Sequence, residues 1–235
     1  GAIGGPFQYG DKYAHSAIVS SKETIQSEGP WGVSDKVFNY TVFNSGSLSK
    51  YILRKVPYDF EYADIQAGIG TPHAVYAEFT ADETLLVRAE AQALLGHYAE
   101  ALNDLNTELA AFSREGVQLT LDDVKKFYSD DVTAYYTPEK PTPRKAFHTA
   151  FAISKDTEEP MLQCILHLRR IMTIHEGLRM QDVKRYGITI YRRDVKSNYK
   201  ITGITDTMEA RDPRLAIQLP QDVITAGVTP NPRNK

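Results

Sequence analysis

The sequence predicts a mainly α fold: a helical hairpin over residues 80–112 packed on one long central helix over 160–187, with long loops and a few short strands around them. Three observations carry this expectation. Thr80-Ala81-Asp82-Glu83 is a capping box at the head of an apolar period, Leu95-Gly96 interrupts that period before it restarts, and residues 160–186 hold the broadest helical pattern of the chain.

In the first helix Leu85, Leu86, Ala89 and Ala93 recur on one face, and Gly96 supplies the left-handed residue that ends it. Tyr98, Ala101, Leu102, Leu105, Leu109 and Phe112 then fall at steps of three and four. The connection is so short that the two helices must run antiparallel. Leu95-Gly96-His97-Tyr98-Ala99-Glu100-Ala101 resembles the centre of a tetratricopeptide repeat, with small residues at the helix crossing and an aromatic after the turn; no second copy follows at the repeat spacing. Thr120-Leu121-Asp122-Asp123 caps a short helix reaching Tyr128, and Thr137-Pro138-Glu139-Lys140-Pro141-Thr142-Pro143 is a proline-stiffened surface connection. Pro160, preceded by Glu158 and Glu159, opens the long helix, whose rows Ile165, Leu168, Met172 and Ile171, Ile174, Leu178 give a wide apolar arc; Gly187 closes it.

The remainder reads as loops and strands. Residues 1–79 are loop-rich, with strand candidates at Val37–Asn44 and Lys50–Val56 forming a hairpin across Asn44-Ser45-Gly46-Ser47, and a chain break at Gly68-Ile69-Gly70-Thr71-Pro72. Residues 113–159 hold the short helix and the Pro-rich connection. Ile188–Tyr191, Asn198–Ile204 and Leu215–Leu219 alternate as short strands within a final 188–235 segment, with Arg211-Asp212-Pro213-Arg214 between the last two. The whole is expected to be a single domain, since 235 residues suit one large core.

Composition narrows the function classes. Twenty-seven Lys+Arg against 30 Asp+Glu leave a net charge of −3, too near neutral for a chain devoted to gripping nucleic acid or acidic lipid. Cys164 stands alone and forms no intramolecular bridge. No apolar run is long enough to cross a membrane. The opening Gly1-Ala2-Ile3-Gly4-Gly5-Pro6 has no leader pattern and, lacking Met, reads as a cut within a longer precursor or a tag remnant.

No catalytic signature emerges. His175-Glu176 begins like a zinc-binding HExxH helix, but Arg179 occupies the second histidine position, and a guanidinium repels the ion it would have to bind. Asp122/Asp123 and Asp130/Asp131 are the carboxylate pairs from which a glycosidase could be built, though adjacent acids mostly cap helices or face water. Neither a nucleophile elbow nor a reactive-cysteine context is present. No cofactor or metal site is expected. The cations of the long helix, Arg169, Arg170, Arg179, Lys184 and Arg185, are interleaved with acids, so the expected role of Arg170, Glu176, Arg179 and Asp182 is structural ion pairing, with Arg179 meeting Glu176 or Asp182 one turn away.

The segment from Arg169 to Arg185, Arg169-Arg170-Ile171-Met172-Thr173-Ile174-His175-Glu176-Gly177-Leu178-Arg179-Met180-Gln181-Asp182-Val183-Lys184-Arg185, resembles the RRxELxFEGxRWxDLxR helix of the RagB/SusD family. Leu85-Leu86-Val87-Arg88-Ala89-Glu90-Ala91 and Ala101-Leu102-Asn103-Asp104-Leu105-Asn106 precede it in family order, and Leu219-Pro220-Gln221-Asp222-Val223-Ile224 with Asn231-Pro232 resembles the family's closing segments. The chain departs from the pattern at Met172, His175 and Met180-Gln181, as a divergent member would. Members of that family are about twice this length, so the resemblance implies a C-terminal half or a shortened relative.

The resemblance further implies a non-enzymatic, SusD-like lipoprotein of the bacterial outer membrane, facing the cell surface or the periplasm. Such a protein captures a glycan or another small nutrient and caps a SusC-like TonB-dependent transporter. Membrane contact would come only through a lipid anchor outside this chain, because Cys164 is internal. Sugar rings stack on aromatic faces, and the loop-rich segment holds Trp31, Tyr40, Tyr58, Tyr62 and Tyr76 as the expected ligand contacts. For Trp31 the competing reading is an aromatic plug that stabilises a long loop. Two other functions stay open on the residues alone: a tetratricopeptide-type scaffold for a protein or peptide, and a carbohydrate-active hydrolase.

Overall fold

A computed structural model describes residues 24, 26–39, 42–45, 50–53, 58–74, 79–174, 177–196 and 201–233. Helices build the core and the described strands pair as small two-stranded antiparallel sheets, so the architecture is a mixture of α and β more than the mainly α fold expected. The chain begins with β1 (Glu28–Gly29), β2 (Gly32–Val33) and the short helix α1 (Ser34–Val37), followed by the hairpin of β3 (Val42–Ser45) and β4 (Lys50–Leu53). A second hairpin, β5 (Tyr58–Asp64) with β6 (Ile69–Ala74), leads to α2 (Ala81–Leu94) and α3 (Tyr98–Phe112). Then come α4 (Leu121–Phe127), α5 (Glu158–Met172), α6 (Arg179–Tyr186), the hairpin of β7 (Ile190–Val195) and β8 (Ile201–Met208), a 3-10 turn at Pro213–Leu215 and α7 (Gln221–Thr225).

The hairpin α2–α3 forms where the capping pattern places it. Thr80 Oγ1 accepts from the Glu83 N–H at 3.2 Å, and Gly96, at φ +78°, turns the chain between the helices. Leu86, Ala89 and Ala93 on α2 and Ala101, Leu105 and Leu109 on α3 are fully buried, the alanines allowing close approach. Arg88 closes the pair with two hydrogen bonds to Asp104, at 2.9 and 2.7 Å. Helix α5 lies against α2, α3 and α4 and is buried almost throughout, from Glu159 to Arg169. The capping box of α4 is complete, with Thr120 and Asp123 bonded reciprocally.

The expected single helix over 160–187 is instead two, α5 and α6, separated by residues 173–178. Thr173 bonds its hydroxyl back to the Arg169 carbonyl at 2.9 Å, and Gly177 takes φ +81°, which a continuing helix forbids. The break has a use. In an unbroken helix Arg169 and Asp182 would stand 13 residues, about 20 Å, apart along the axis, whereas here Arg169 Nη2 reaches Asp182 Oδ1 at 2.7 Å.

Other elements also differ from expectation. Val37 ends α1, so the first hairpin strand starts only at Val42. At Gly68-Ile69-Gly70-Thr71-Pro72 the break is confined to Gly68, and β6 begins directly after it. The turn is made by Asp64, whose Oδ1 accepts from Gln66 and Ala67 N–H groups at 2.8 and 3.0 Å, an Asx turn. In place of a strand at Leu215–Leu219, Asp212 and Pro213 start a 3-10 turn, the Asp212 carboxylate accepting from Arg214 N at 2.9 Å.

Gly187 shows how tightly the end of α6 is docked. It adopts φ +61°, and a Cβ there would lie 2.3 Å from the His148 carbonyl oxygen. Gly96 shares the left-handed conformation but faces open space. Alanine at Gly96 should cost about 1–3 kcal/mol from backbone conformation alone, and Gly187→Ala should cost more; the two midpoints in a urea titration test the order, and equal losses would refute the packing argument.

Candidate functional site

Two side-chain constellations flank α5, and neighbouring arginines on that helix serve them separately. Arg169 lies on the fully buried arc, one or two turns after Leu162, Ile165 and Leu166, and a guanidinium there must be paired. It donates to Glu90 of α2 at 2.6 Å and to Asp182 of α6 at 2.7 Å. Glu90 also accepts from the Tyr186 hydroxyl at 2.5 Å and Arg185 Nε at 3.0 Å. Arg179 Nη1 approaches Asp182 at 3.5 Å. Burial alone would raise the Glu90 carboxyl, but Arg169, the Tyr186 hydroxyl and Arg185 outweigh it and hold the group below its ordinary value. Burial likewise works against the charge of Arg169, and Asp182 and Glu90 reverse the effect. A cleft of about 330 Å³ beside this network is lined by Glu83, Glu90, Arg169, Asp182 and Arg185, and its deep charges already satisfy one another.

The second constellation gathers cations and tyrosines. A cleft of about 240 Å³ is lined, among the described residues, by Lys145, Arg170, Arg179 and Arg193, with Tyr136 and Tyr191 among them. It is built on rigid supports. Gln163, buried on α5, accepts from the Lys145 N–H at 3.0 Å and donates to the Lys145 carbonyl at 2.5 Å, which fixes the 133–148 connection to the central helix. Lys145, only 8% exposed, places Nζ 3.6 Å from the centre of the Tyr136 ring and donates to the Thr142 carbonyl at 2.7 Å. Tyr191 on β7 stacks against Tyr136 with centroids 5.8 Å apart and planes at 19°. Arg193 stands 5.8 Å from the same ring. Burial and the adjacent Arg170 cation push Arg179 below its ordinary value, with Asp182 opposing.

Beneath α5, His167 anchors the N-terminal segment. Ser27 Oγ donates to the Thr24 carbonyl at 2.9 Å, so it accepts from His167 Nε2 at 2.7 Å; Nδ1 then accepts from the Tyr128 hydroxyl at 3.0 Å. This chain of donors assigns the neutral Nε2–H tautomer. Burial first, then the Arg170, Lys145 and Arg179 cations, hold His167 well below its ordinary value.

The expected ligand contacts that are described lie in different settings. Trp31 is a core residue, 5% exposed, with its ring against Phe38 and His167 at 5.4 and 4.9 Å and its indole N–H donated to Ser34 at 3.0 Å. That environment is the aromatic plug, and it leaves the indole no solvent face for a sugar. Tyr62 is exposed on β5 with its edge to Phe60, and Tyr58 begins the same strand. Tyr40 and Tyr76 lie outside the described residues. Of the expected ion-pair set, Arg179 meets Asp182, Arg170 lines the cationic cleft, and Glu176 lies outside the described residues. The sequence reading missed Arg169 and Glu90 as the centre of the network, although a charge on an apolar helical stripe signals a buried pair. It also missed Lys145, Tyr136, Tyr191 and Arg193, which only the fold brings together.

Among the described residues no group of three or more His, Cys, Asp or Glu side chains is placed to hold a metal ion, and no helix is long and apolar enough to cross a membrane. In comparisons with known proteins, no family model matches the chain, and neither curated proteins nor solved structures gave a match.

Two expectations follow. Arg169→Ala strands Glu90 and Asp182 as buried, underpaired carboxylates and should cost about 3–5 kcal/mol in urea denaturation; a loss below 1 kcal/mol would show the network to be solvated. For His167 the folded value is depressed, so as pH falls below the unfolded value of about 6.5 the unfolded chain takes up a proton that the folded chain refuses. Stability should therefore drop by up to about 1.4 kcal/mol per pH unit on the acid side. The difference between the wild type and His167→Gln, followed from pH 7 to 5, isolates this contribution, and parallel profiles would refute it.

Proposed function

We propose that this protein is the non-enzymatic, glycan-binding component of a SusC/SusD-type outer-membrane nutrient-uptake system, with a SusC-like TonB-dependent transporter as its partner. One observation carries the reading: the buried Glu90–Arg169–Asp182 network joins the very segments whose sequences resemble the RagB/SusD family. Glu90 belongs to the Leu85–Ala91 stretch, and Arg169, Asp182 and Arg185 stand at motif positions of the Arg169–Arg185 stretch. A charge that must find partners 79 and 13 residues away makes such a motif intelligible as a packing code. The α2–α3 hairpin, with its alanine crossing and Gly96 turn, is the tetratricopeptide-like unit of this reading. A lipid anchor outside this chain would tether the protein to the outer membrane.

Two measurements test it. Full-length protein expressed with the adjacent transporter gene product should co-purify with the barrel, and calorimetry against an oligosaccharide panel should find a ligand that chromatography recovers intact. Cleaved products would favour the hydrolase, and peptide binding without sugar binding or a barrel partner would favour the scaffold.

A further inference from the structure

We infer that the cleft bounded by Tyr135, Phe147, His148, Lys155 and Glu159 binds one neutral sugar ring through its hydroxyl groups. That the ring belongs to a captured glycan rests on the uptake reading above; that the occupant is an uncharged polyol rests on the cleft itself.

The cleft, about 340 Å³, lies between the connection that precedes α5 and the first turn of that helix, and it falls within the ~300–1,000 Å³ of small-molecule sites. Its buried charge is Glu159, 6% exposed. A carboxylate so enclosed calls for donors at both oxygens. Oε1 has them: the Tyr135 hydroxyl donates to it and Arg144 Nη2 stands 3.6 Å away. Oε2 accepts from no described residue. In the cleft beside Glu90 both carboxylate oxygens are taken, Oε1 by Tyr186 and Arg185 and Oε2 by Arg169. A hydroxyl entering the Glu159 cleft thus meets an open, charged acceptor, the stronger kind of hydrogen bond.

His148 adds a second acceptor. Its backbone N–H donates to the Tyr186 carbonyl at 2.8 Å, and Nδ1, 3.0 Å from the Gly187 carbonyl, can only donate there. Nε2 is the nitrogen left for a ligand, and it accepts when the ring is neutral. Lys155, exposed, supplies a donor, and Phe147 an aromatic ring of the kind on which sugar C–H faces stack. Charge decides among occupants. The described lining residues hold one carboxylate and one ammonium, with Arg144 beside Glu159. A cation would meet Lys155 and Arg144, an oxyanion would meet Glu159, and a ring of hydroxyls meets donor and acceptors without net charge. The main acceptor is set in advance. Burial and the Glu159 carboxylate push the Tyr135 hydroxyl up to about 12, so it stays a donor, and the Arg144 guanidinium lies 3.9 Å from the centre of the Tyr135 ring. Such a site exists before its ligand arrives.

The test is calorimetry on the 235-residue chain with the methyl glycosides of glucose, galactose and mannose, each beside its 2-amino and its uronic-acid counterpart, which put a positive and a negative charge on the same ring. At least one neutral glycoside should bind, with its charged counterparts at least tenfold weaker. Glu159→Gln keeps an oxygen for Tyr135 and removes the open carboxylate oxygen, so it should weaken binding by about tenfold to a hundredfold. Lys155→Gln should weaken it severalfold, whereas Lys140→Gln, which removes an exposed cation outside the cleft, should leave it unchanged. Circular dichroism shows whether each variant is folded, and the His148 ring-proton resonances of the unaltered chain read the same contact by shifting as the sugar is added. Binding that neither Glu159→Gln nor Lys155→Gln weakens, or that leaves the His148 resonances unmoved, overturns the inference and leaves the uptake reading standing. Tighter binding of a charged counterpart overturns the neutral ring. Binding by none of the glycosides overturns the inference altogether, while the transporter co-purification judges the uptake reading separately.

Discussion

A guanidinium buried in a helical core governs the arrangement of this molecule. Arg169 is held between Glu90 and Asp182, and removing charge from water at that depth costs several kcal/mol per ion unless every partner is in place. The requirement ties α2, α5 and α6 into one unit, since each contributes a member. It also explains the interruption at residues 173–178: a straight continuation would carry Asp182 out of reach, so the chain turns back to complete the pairing. Such networks add less to stability than an apolar replacement could, and what they add is selectivity among packings.

Adjacent residues on α5 have different surroundings. One helical step of about 100° separates Arg169, enclosed by carboxylates, from Arg170, which lines a second cleft with Lys145, Arg179 and Arg193. The helix therefore presents two neighbouring arginines to two different clefts. A net charge of −3 says nothing of where these cations sit. Bulk composition argues against a polyanion-gripping surface, and it is silent about a local recess holding four cations.

Much of the helical scaffold was legible because its signals are local. Thr80 and Thr120 with their acidic partners three residues on, Gly96 after Leu95, and the apolar steps from Tyr98 to Phe112 each report on a few neighbouring residues. The split between α5 and α6 was not legible, because the apolar period runs through it and the reason for breaking lies in the pairing of Arg169 with Asp182 across it. The β5–β6 hairpin was missed for a similar reason: Asp64 supplies the turn with its side chain, and the glycines nearby read as a longer interruption. Among the site residues, Arg179 and Asp182 were within one helical turn and could be paired by spacing. Lys145 and Arg193 come from segments 48 residues apart in the sequence, with no periodicity connecting them, and only the folded chain shows them as neighbours. Trp31 stood out in the sequence for its size, and size alone does not distinguish a binding platform from a core residue.

The docking of the N-terminal segment bears on how the molecule is made. Ser27 finds its imidazole 140 residues later in the chain, and Trp31 rests on that same ring. At a synthesis rate of ~5–20 residues per second the indole emerges roughly 7–27 s before its platform exists. During that interval the Trp31 indole lacks the imidazole on which it packs in the finished fold. Closing so long a loop carries an entropic cost that local helix contacts do not, so docking of this segment waits on α5 being in place.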